Sequence, residues 1–248
     1  SSEYYSAITA LFENGITKGT SAGTYSPAAD VTRGQLSSFI VRGLTWLEEN
    51  APEGPQEPTP DGAFNLSILH VNDTHAHVEQ FPKLVTAVNE ARATNENALL
   101  LHAGDVFSGT LYFNEFLGQA DLEFMNLMKF DAMTLGNHEF DFGCKELGKR
   151  LKKANFQVVC ANYHFKDRNL QKIVKPYVII EKCGYRVGVF GLTVNMEGLV
   201  FPGTLEEVTY LSPIEKAKEI VQILKNEQHC DFVICLSHLG YDTENVND

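Results

Sequence analysis

The chain is short of basic residues, of paired cysteines and of long apolar runs, and each shortage removes a class of protein. Its 20 Lys and Arg stand against 32 Asp and Glu, a formal net charge of −12. A phosphate backbone is held mainly by Lys and Arg, so a nucleic-acid polymer is excluded as a partner. A small anionic substrate would need counter-charge from metal ions. The 5 cysteines, Cys144, Cys160, Cys183, Cys230 and Cys235, are odd in number and form no CxxC pair, which argues against a zinc ribbon and a disulfide framework. Cys160, Cys230 and Cys235 lie in or beside apolar runs and read as small buried side chains. No apolar stretch approaches the ~20 residues that span a bilayer, so no transmembrane segment is expected. The start, "SSEYYSAITALF", lacks the basic and apolar regions of a signal peptide; if the protein is exported, its signal has been removed.

What is present is an ordinary globular composition, 44 % hydrophobic and 21 % charged over 248 residues, divided by a linker. Residues 48–63 carry "EENAPEGPQEPTPDG", in which prolines and acids alternate and no aliphatic side chain exceeds alanine. Such a stretch builds no core and reads as extended and solvated. The piece before it, residues 1–47, is near the lower size limit for folding alone. It reads as helix, loop, helix: "YYSAITALFENG" has helical apolar spacing and stops at Gly15, and "TRGQLSSFIVRGL" starts at a Thr cap.

Residues 64–248 change to alternating strands and helices. Apolar runs occur at 64–71, 98–104, 131–136, 156–162, 185–193 and 231–239, with helical patterns at 81–94, 144–154 and 212–227. Strands apolar on both faces and separated by helices predict an α/β domain with a buried, largely parallel sheet.

Several of these runs are followed at once by metal-ligand chemistry. The first leads into Asp73 and His75, the second into Asp105, the third into Asn137, His138 and Glu139, and the last into His238. Ligands gather beyond the carboxyl ends of strands in open α/β sheets, so one site explains all four loops. Asp73 and His75, two residues apart in extended backbone, point to one face and can grip one cation. Asp105 follows a glycine, and a carboxylate there can bridge two cations. Asn137 offers a neutral carbonyl, His138 can donate a proton or hydrogen bond, and Asp141 can hold that imidazole in one tautomer. Imidazole mixed with carboxylate and amide oxygen suits Mn, Zn, Fe or Co, and the absence of thiolates argues against a structural zinc. His70 and His102, inside apolar runs, read as core histidines; His164 and His229 read as solvent-facing, and His77 as structural. Glu139 and Ser108 are expected to stabilise loops, and Asn162 to orient a loop near the site.

Two resemblances follow from these residues. "AGTYSP" (22–27) and "TRGQ" (32–35) resemble an S-layer homology repeat, a small helical module, although Gln35 stands where that family usually has Glu. The resemblance implies a bacterial cell-surface location and an anionic cell-wall polysaccharide as partner, with Arg33 best placed to meet a carboxylate. "NDTHAH" (72–77), "GDVFSG" (104–109), "GNHEFD" (136–141) and "LSHLGYD" (236–242) resemble, in order, the motifs of the calcineurin-like metallophosphoesterases, and among them the secreted 5′-nucleotidases. The resemblance implies a layered α/β sandwich with ligands at strand carboxyl ends. It implies two divalent cations, one held by Asp73 and His75, the other by Asn137 and His238, with Asp105 bridging. It also implies that His138, supported by Asp141, faces the phosphoryl group, and that metal-bound hydroxide attacks a nucleoside monophosphate. UDP-sugar hydrolysis, 2′,3′-cyclic nucleotide hydrolysis, and an inert phosphatase-like domain on a wall-binding protein are the competing expectations. The family pattern continues with a "GHxH"-like segment and a further domain not found before Asp248, so little nucleotidase activity is expected from these 248 residues alone.

Overall fold

The computed structural model describes residues 66–95 and 97–240. The helical module at 1–47 with Arg33, and the linker at 48–63, lie outside the described residues.

The described chain alternates strands and helices. It runs through β1 (Ile68–Val71), α1 (Phe81–Thr94), β2 (Leu99–His102), α2 (Leu111–Phe116), α3 (Gln119–Leu127), β3 (Ala132–Thr134), α4 (Gly143–Leu151), β4 (Gln157–Val159) and β5 (Tyr163–Phe165). Then come α5 (Arg168–Ile173), β6 (Val174–Lys175), β7 (Tyr177–Lys182), β8 (Tyr185–Thr193), α6 (Pro202–Leu205), β9 (Val208–Tyr210), α7 (Pro213–Gln222) and β10 (Phe232–His238). The predicted helices at 81–94 and 144–154 are α1 and α4. The one predicted at 212–227 is α7, continued by a π-helical turn over Ile223–Glu227.

Local chemistry explains where the helices begin. In α1 the second residue is Pro82, whose missing N–H lies among donors unsatisfied in any first turn. Phe81, Val85 and Val88 then fall on one buried stripe, and the Phe81 ring stacks on Phe124 of α3 at 4.9 Å. Asp167 caps α5 by accepting from the N–H groups of Asn169 and Leu170. Ser212 caps α7 by accepting from Glu215 N at 3.3 Å, and Pro213 supplies its fixed φ at the first helical position.

The strands form two layered sheets and a short antiparallel ribbon of β5 and β9. One sheet is wholly parallel, in the order β1-β2-β3-β4-β6; β2, β3 and β4 cross its middle and carry fully or nearly fully buried leucines, valines and methionine. The other has the order β10-β8-β7, with β8 parallel to β10 and antiparallel to β7. Leu99, Leu101, Ala132 and Val159 of the first sheet meet Val187, Val189 and Leu236 of the second in one core. The layers approach closely at Gly191, where a Cβ would overlap both Thr134 Oγ1 and the Val159 carbonyl. A larger core of Phe, Leu, Met and Val side chains lies between the first sheet and helices α1, α3, α4 and α5.

Two expectations about single residues are corrected by this arrangement. His70 and Cys235 are exposed rather than buried. Both sit on edge strands, β1 and β10, and line an open cleft of about 550 Å³ between the two sheets. An apolar run marks a strand, but only an interior strand buries both of its faces. His102 on β2 is buried, as expected, and His164 and His229 are exposed.

Candidate metal centre

The site is built on loops whose backbones are unusually conformed. Asp73, His75, Ala76, Asp105 and Ser108 all have positive φ, between 45° and 67°, in a region that non-glycine residues seldom enter. Such conformations cost free energy and persist where neighbouring contacts over-determine them. Here the loop after β1 is laced to the loop after β2: Asp73 N donates to Gly104 O (3.0 Å), His75 N to Asp105 O (3.1 Å) and Ala76 N to Val106 O (2.8 Å).

A buried carboxylate holds the second loop to the third. Glu139 Oε2 accepts from Asp105 N (2.9 Å) and Gly136 N (2.6 Å), and its Oε1 accepts from Val106 N (2.7 Å) and Phe107 N (3.3 Å). Burial, and then the charge of Asp105, raise the pKa of Glu139 above the usual carboxylate range. Gly136 is required where these loops meet, since any Cβ there would collide with Asp105 Oδ1.

The side chains then converge on Asp105. Its Oδ1 accepts from the backbone N–H of His138 at 2.9 Å. Its Oδ2 lies 3.7 Å from His75 Nε2 and 3.4 Å from His238 Nε2, and His75 Nε2 is also 3.6 Å from Asp73 Oδ1. Two groups of ligand atoms result, each with all members within 4.8 Å of one another: His75 with Asp105 and His138, and Asp73 with Asp105 and His238. Asp105 belongs to both. Asn137 opens the turn His138–Phe140 beside them, half-buried.

His138 is held at one nitrogen and open at the other. Its Nδ1 lies 2.9 Å from Asp141 Oδ2, which also accepts a short hydrogen bond from Ser108 Oγ. Burial opposes charge on the ring, but the Asp141 hydrogen bond and charge outweigh it and raise the pKa of His138. Nε2 is thereby left to face whatever enters the site.

Residues 66–247 match the calcineurin-like phosphoesterase domain. The chain belongs to the calcineurin-like phosphoesterase family. Residues 1–37 match the S-layer homology domain. The chain is 31 % identical to the trifunctional nucleotide phosphoesterase protein YfkN of Bacillus subtilis, over 94 % of this chain and 18 % of that protein. It is 40 % identical to the snake venom 5′-nucleotidase of Crotalus adamanteus, over 74 % of this chain and 34 % of that one. Among solved structures it superposes on a 5′-nucleotidase precursor from Thermus thermophilus with a TM-score of 0.66 and 37 % identity, covering 72 % of this chain and 38 % of that one. The chain therefore spans well under half the length of these relatives.

Calcineurin-like phosphoesterases use divalent metal ions, and the donor set of this member fits such ions. His238 Nδ1 lies 2.8 Å from the Ala103 carbonyl, which can only accept, so Nδ1 keeps a proton and Nε2 is the nitrogen turned to the metal site. Burial disfavours a charged His238, yet the hydrogen bond and charge of Asp105 prevail and push its pKa up to about 9. The field that draws a proton to Nε2 would draw a divalent cation in its place. Asp105, which burial alone would make harder to ionise, has its pKa lowered by His238 and by the His138 N–H.

The remaining residues around this phosphoesterase site act on the loops. Asn162 is buried and joins β4 to β8, donating to Thr193 O (2.7 Å) and accepting from Thr193 N (2.9 Å), while its backbone carbonyl takes Leu211 N. His77 pairs with Glu79 at 2.6 Å in an exposed position. Two contacts were not legible in the sequence. His102 accepts Gly104 N at Nδ1 (3.1 Å), so its Nε2 carries the proton and donates to Thr74 Oγ1 (3.0 Å); burial lowers its pKa to about 3, and it stays neutral. Arg150 is buried among Phe107, Phe113 and Phe142, and no motif marked it.

Proposed function

We propose that this chain carries the dimetal centre of a 5′-nucleotidase that releases phosphate from nucleoside monophosphates. The observation that carries the reading is Asp105, whose carboxylate is common to both candidate ligand groups and is oriented by His138 N–H. Asp73 and His75, 3.6 Å apart, would hold one cation and Asn137 and His238 the other, with Asp105 between them. This pairing crosses the two ligand groups, which join His75 to His138 and Asp73 to His238. When bound, such ions neutralise phosphoryl oxygens and activate the attacking water. Mn, Zn, Fe and Co all suit this donor set.

The chain's own residues supply positioning and proton transfer. His138, held by Asp141, to which Ser108 donates in turn, presents Nε2 to the phosphoryl group, where as imidazolium it stabilises developing charge or protonates the leaving alkoxide. Its raised pKa favours that protonated form. Glu139 keeps the Asp105 and His138 loops in register. Relatives described as a probable 5′-nucleotidase from Treponema pallidum and a snake venom 5′-nucleotidase from Crotalus adamanteus support a nucleotide substrate. The match to a trifunctional nucleotide phosphoesterase over nearly the whole chain favours activity on more than one nucleotide ester, which keeps 2′,3′-cyclic nucleotides and UDP-sugars as second substrates.

The S-layer homology match supports a bacterial cell-surface location, with residues 1–47 as the anchor, 48–63 as linker and 64–248 as the phosphoesterase domain. In that anchor Arg33 is the proposed contact to anionic wall polysaccharide. No described helix is long and apolar enough to cross a membrane.

The test is phosphate release from AMP by the natural gene product, with Mn²⁺, Zn²⁺ or Co²⁺ supplied in turn. Release that needs a metal and is abolished by Asp105→Asn supports the reading. Metal binding without release from any nucleotide would instead mark an inert phosphatase-like domain.

A further inference from the structure

The two proposed ligands of the second cation come from different sheets. Asn137 follows β3 of the parallel sheet, and His238 ends β10 of the other. Their surroundings meet around Gly104, where an added Cβ would stand 2.7 Å from Gly136 N and 2.9 Å from His238 Nδ1. Ladder hydrogen bonds run within a sheet and fix no distance between sheets. A metal position shared by two sheets therefore depends on bonds that cross the sandwich.

Thr193 makes such a bond at the root of both ligands. It closes β8 and stands opposite His238 in the register of β8 with β10, and the next residue, Val194, donates its N–H to the His238 carbonyl at 2.9 Å. Its side chain reaches the other sheet, where Oγ1 donates to the carbonyl of Leu135 at 2.6 Å, two residues before Asn137. Cys160 Sγ is the other neighbour of that hydroxyl, at 3.4 Å. The hydroxyl is aimed from behind the backbone: Asn162 accepts from Thr193 N (2.9 Å) and donates to Thr193 O (2.7 Å), and its own carbonyl takes Leu211 N. Thr193 and Asn162 are both fully buried.

Packing alone does not call for this arrangement. Valine has nearly the shape of threonine, suits a strand equally well, and brings no hydroxyl that burial must satisfy. We propose that Thr193, aimed by Asn162, is a positioning residue for the second cation, its hydroxyl fixing the spacing between Asn137 and His238. Asp73 and His75 are laced to the loop after β2 and are held independently of it. The proposal rests on the dimetal reading and adds to it a residue that serves one metal position and not the other.

Calorimetric titration of Mn²⁺ into the metal-free natural gene product tests it. The unaltered protein should take up two ions. Thr193→Val should weaken one binding step roughly 10- to 100-fold, the usual cost of losing a group that orients a ligand, and leave the other as it was. The weakened step should be the one abolished by His238→Ala. Thr193→Ser keeps the hydroxyl and should restore it. Thr134→Val makes the same chemical change at the end of β3, at a buried hydroxyl with no hydrogen-bond partner among the described residues, and should bind as the unaltered protein does. Asn162→Ala, which frees the Thr193 backbone but spares its hydroxyl, should weaken the same step and replaces Thr193→Val if that variant does not fold.

Two unchanged steps in the folded variant overturn the proposal. So does equal weakening of both steps, or the same loss in Thr193→Ser or Thr134→Val, since each would reduce Thr193 to a core residue. An unaltered protein that takes up fewer than two ions sinks the dimetal reading and the proposal with it. Two ions taken up without phosphate release from AMP would sink the nucleotidase reading alone, and the selective loss in Thr193→Val would still establish the positioning role.

Discussion

His238 Nε2 stands 3.4 Å from Asp105 Oδ2 while its Nδ1 donates to the Ala103 carbonyl at 2.8 Å. The second sheet thus reaches across to the first through one imidazole, whose Nε2 faces a carboxylate oxygen. A cation between them satisfies both. The natural gene product, loaded with Mn²⁺ and desalted, should retain close to two ions. Asp105→Asn should reduce this below one, because the shared ligand serves both positions. Elemental analysis gives the count, and two ions retained by the variant would sink the bridging role.

His138 and Asp141 should separate chemistry from metal binding. Removing the imidazole in His138→Ala deletes a proton donor that strengthens only as the leaving group departs, so kcat should fall roughly 10²- to 10⁴-fold. Metal stoichiometry should stay as it was. Asp141→Asn keeps the shape but loses the charge that holds His138 Nδ1, and should cost less rate than His138→Ala. Loss of metal from either variant in parallel with rate would mean that the pair acts on the cations instead.

Much of this was legible because the informative residues are local. "GNHEFD" places amide, imidazole and carboxylate on one tight turn, and the distance from His138 to Asp141 is set within that turn. The strands carrying Asp73, Asp105 and Asn137 announced themselves as apolar runs, and their parallel order puts those residues at one edge. Contacts formed by long-range packing were not legible. Arg150 falls in the predicted helix at 144–154 with nothing in its spacing to mark it, and only the fold brings it under Phe107, 43 positions earlier in the sequence. His70 and His102 had the same apolar surroundings in sequence; the strand order β1-β2-β3 makes one an edge residue and the other an interior one. Short elements such as β6, β9 and α6 have too few residues to show a period.

Asp121 should give the folded protein a pH dependence separate from that of the metal centre. It is buried on α3 with neither carboxyl oxygen hydrogen-bonded to another side chain, and burial, with the nearby charges of Glu139 and Glu79, pushes its pKa up to about 8. Unfolding returns it to an ordinary carboxyl, with a pKa of 3.8. Between those values the folded state holds a proton that the unfolded state has released. Stability therefore falls as pH rises through this window, by up to about 1.4 kcal/mol per unit, and levels off above it. Asp121→Asn should flatten that slope when urea unfolding is measured from pH 5 to 8. Equal slopes in the two proteins would mean that Asp121 ionises normally.

Glu139 offers the sharpest test of how the loops are held. One carboxylate takes four backbone N–H groups, three from the Asp105 loop (Asp105, Val106 and Phe107) and one from Gly136. In Glu139→Gln the side-chain nitrogen cannot accept, so the N–H groups facing it are left buried against another donor. Each such loss costs about 1 to 3 kcal/mol, and the variant should be destabilised by about 2 to 4 kcal/mol in urea. Asp105 then loses the backbone support for its left-handed conformation, φ 57°, so metal affinity should fall together with stability. Glu139→Gln with normal stability and weakened metal binding would show the charge of Glu139 acting on the cations directly, rather than through the backbone it holds.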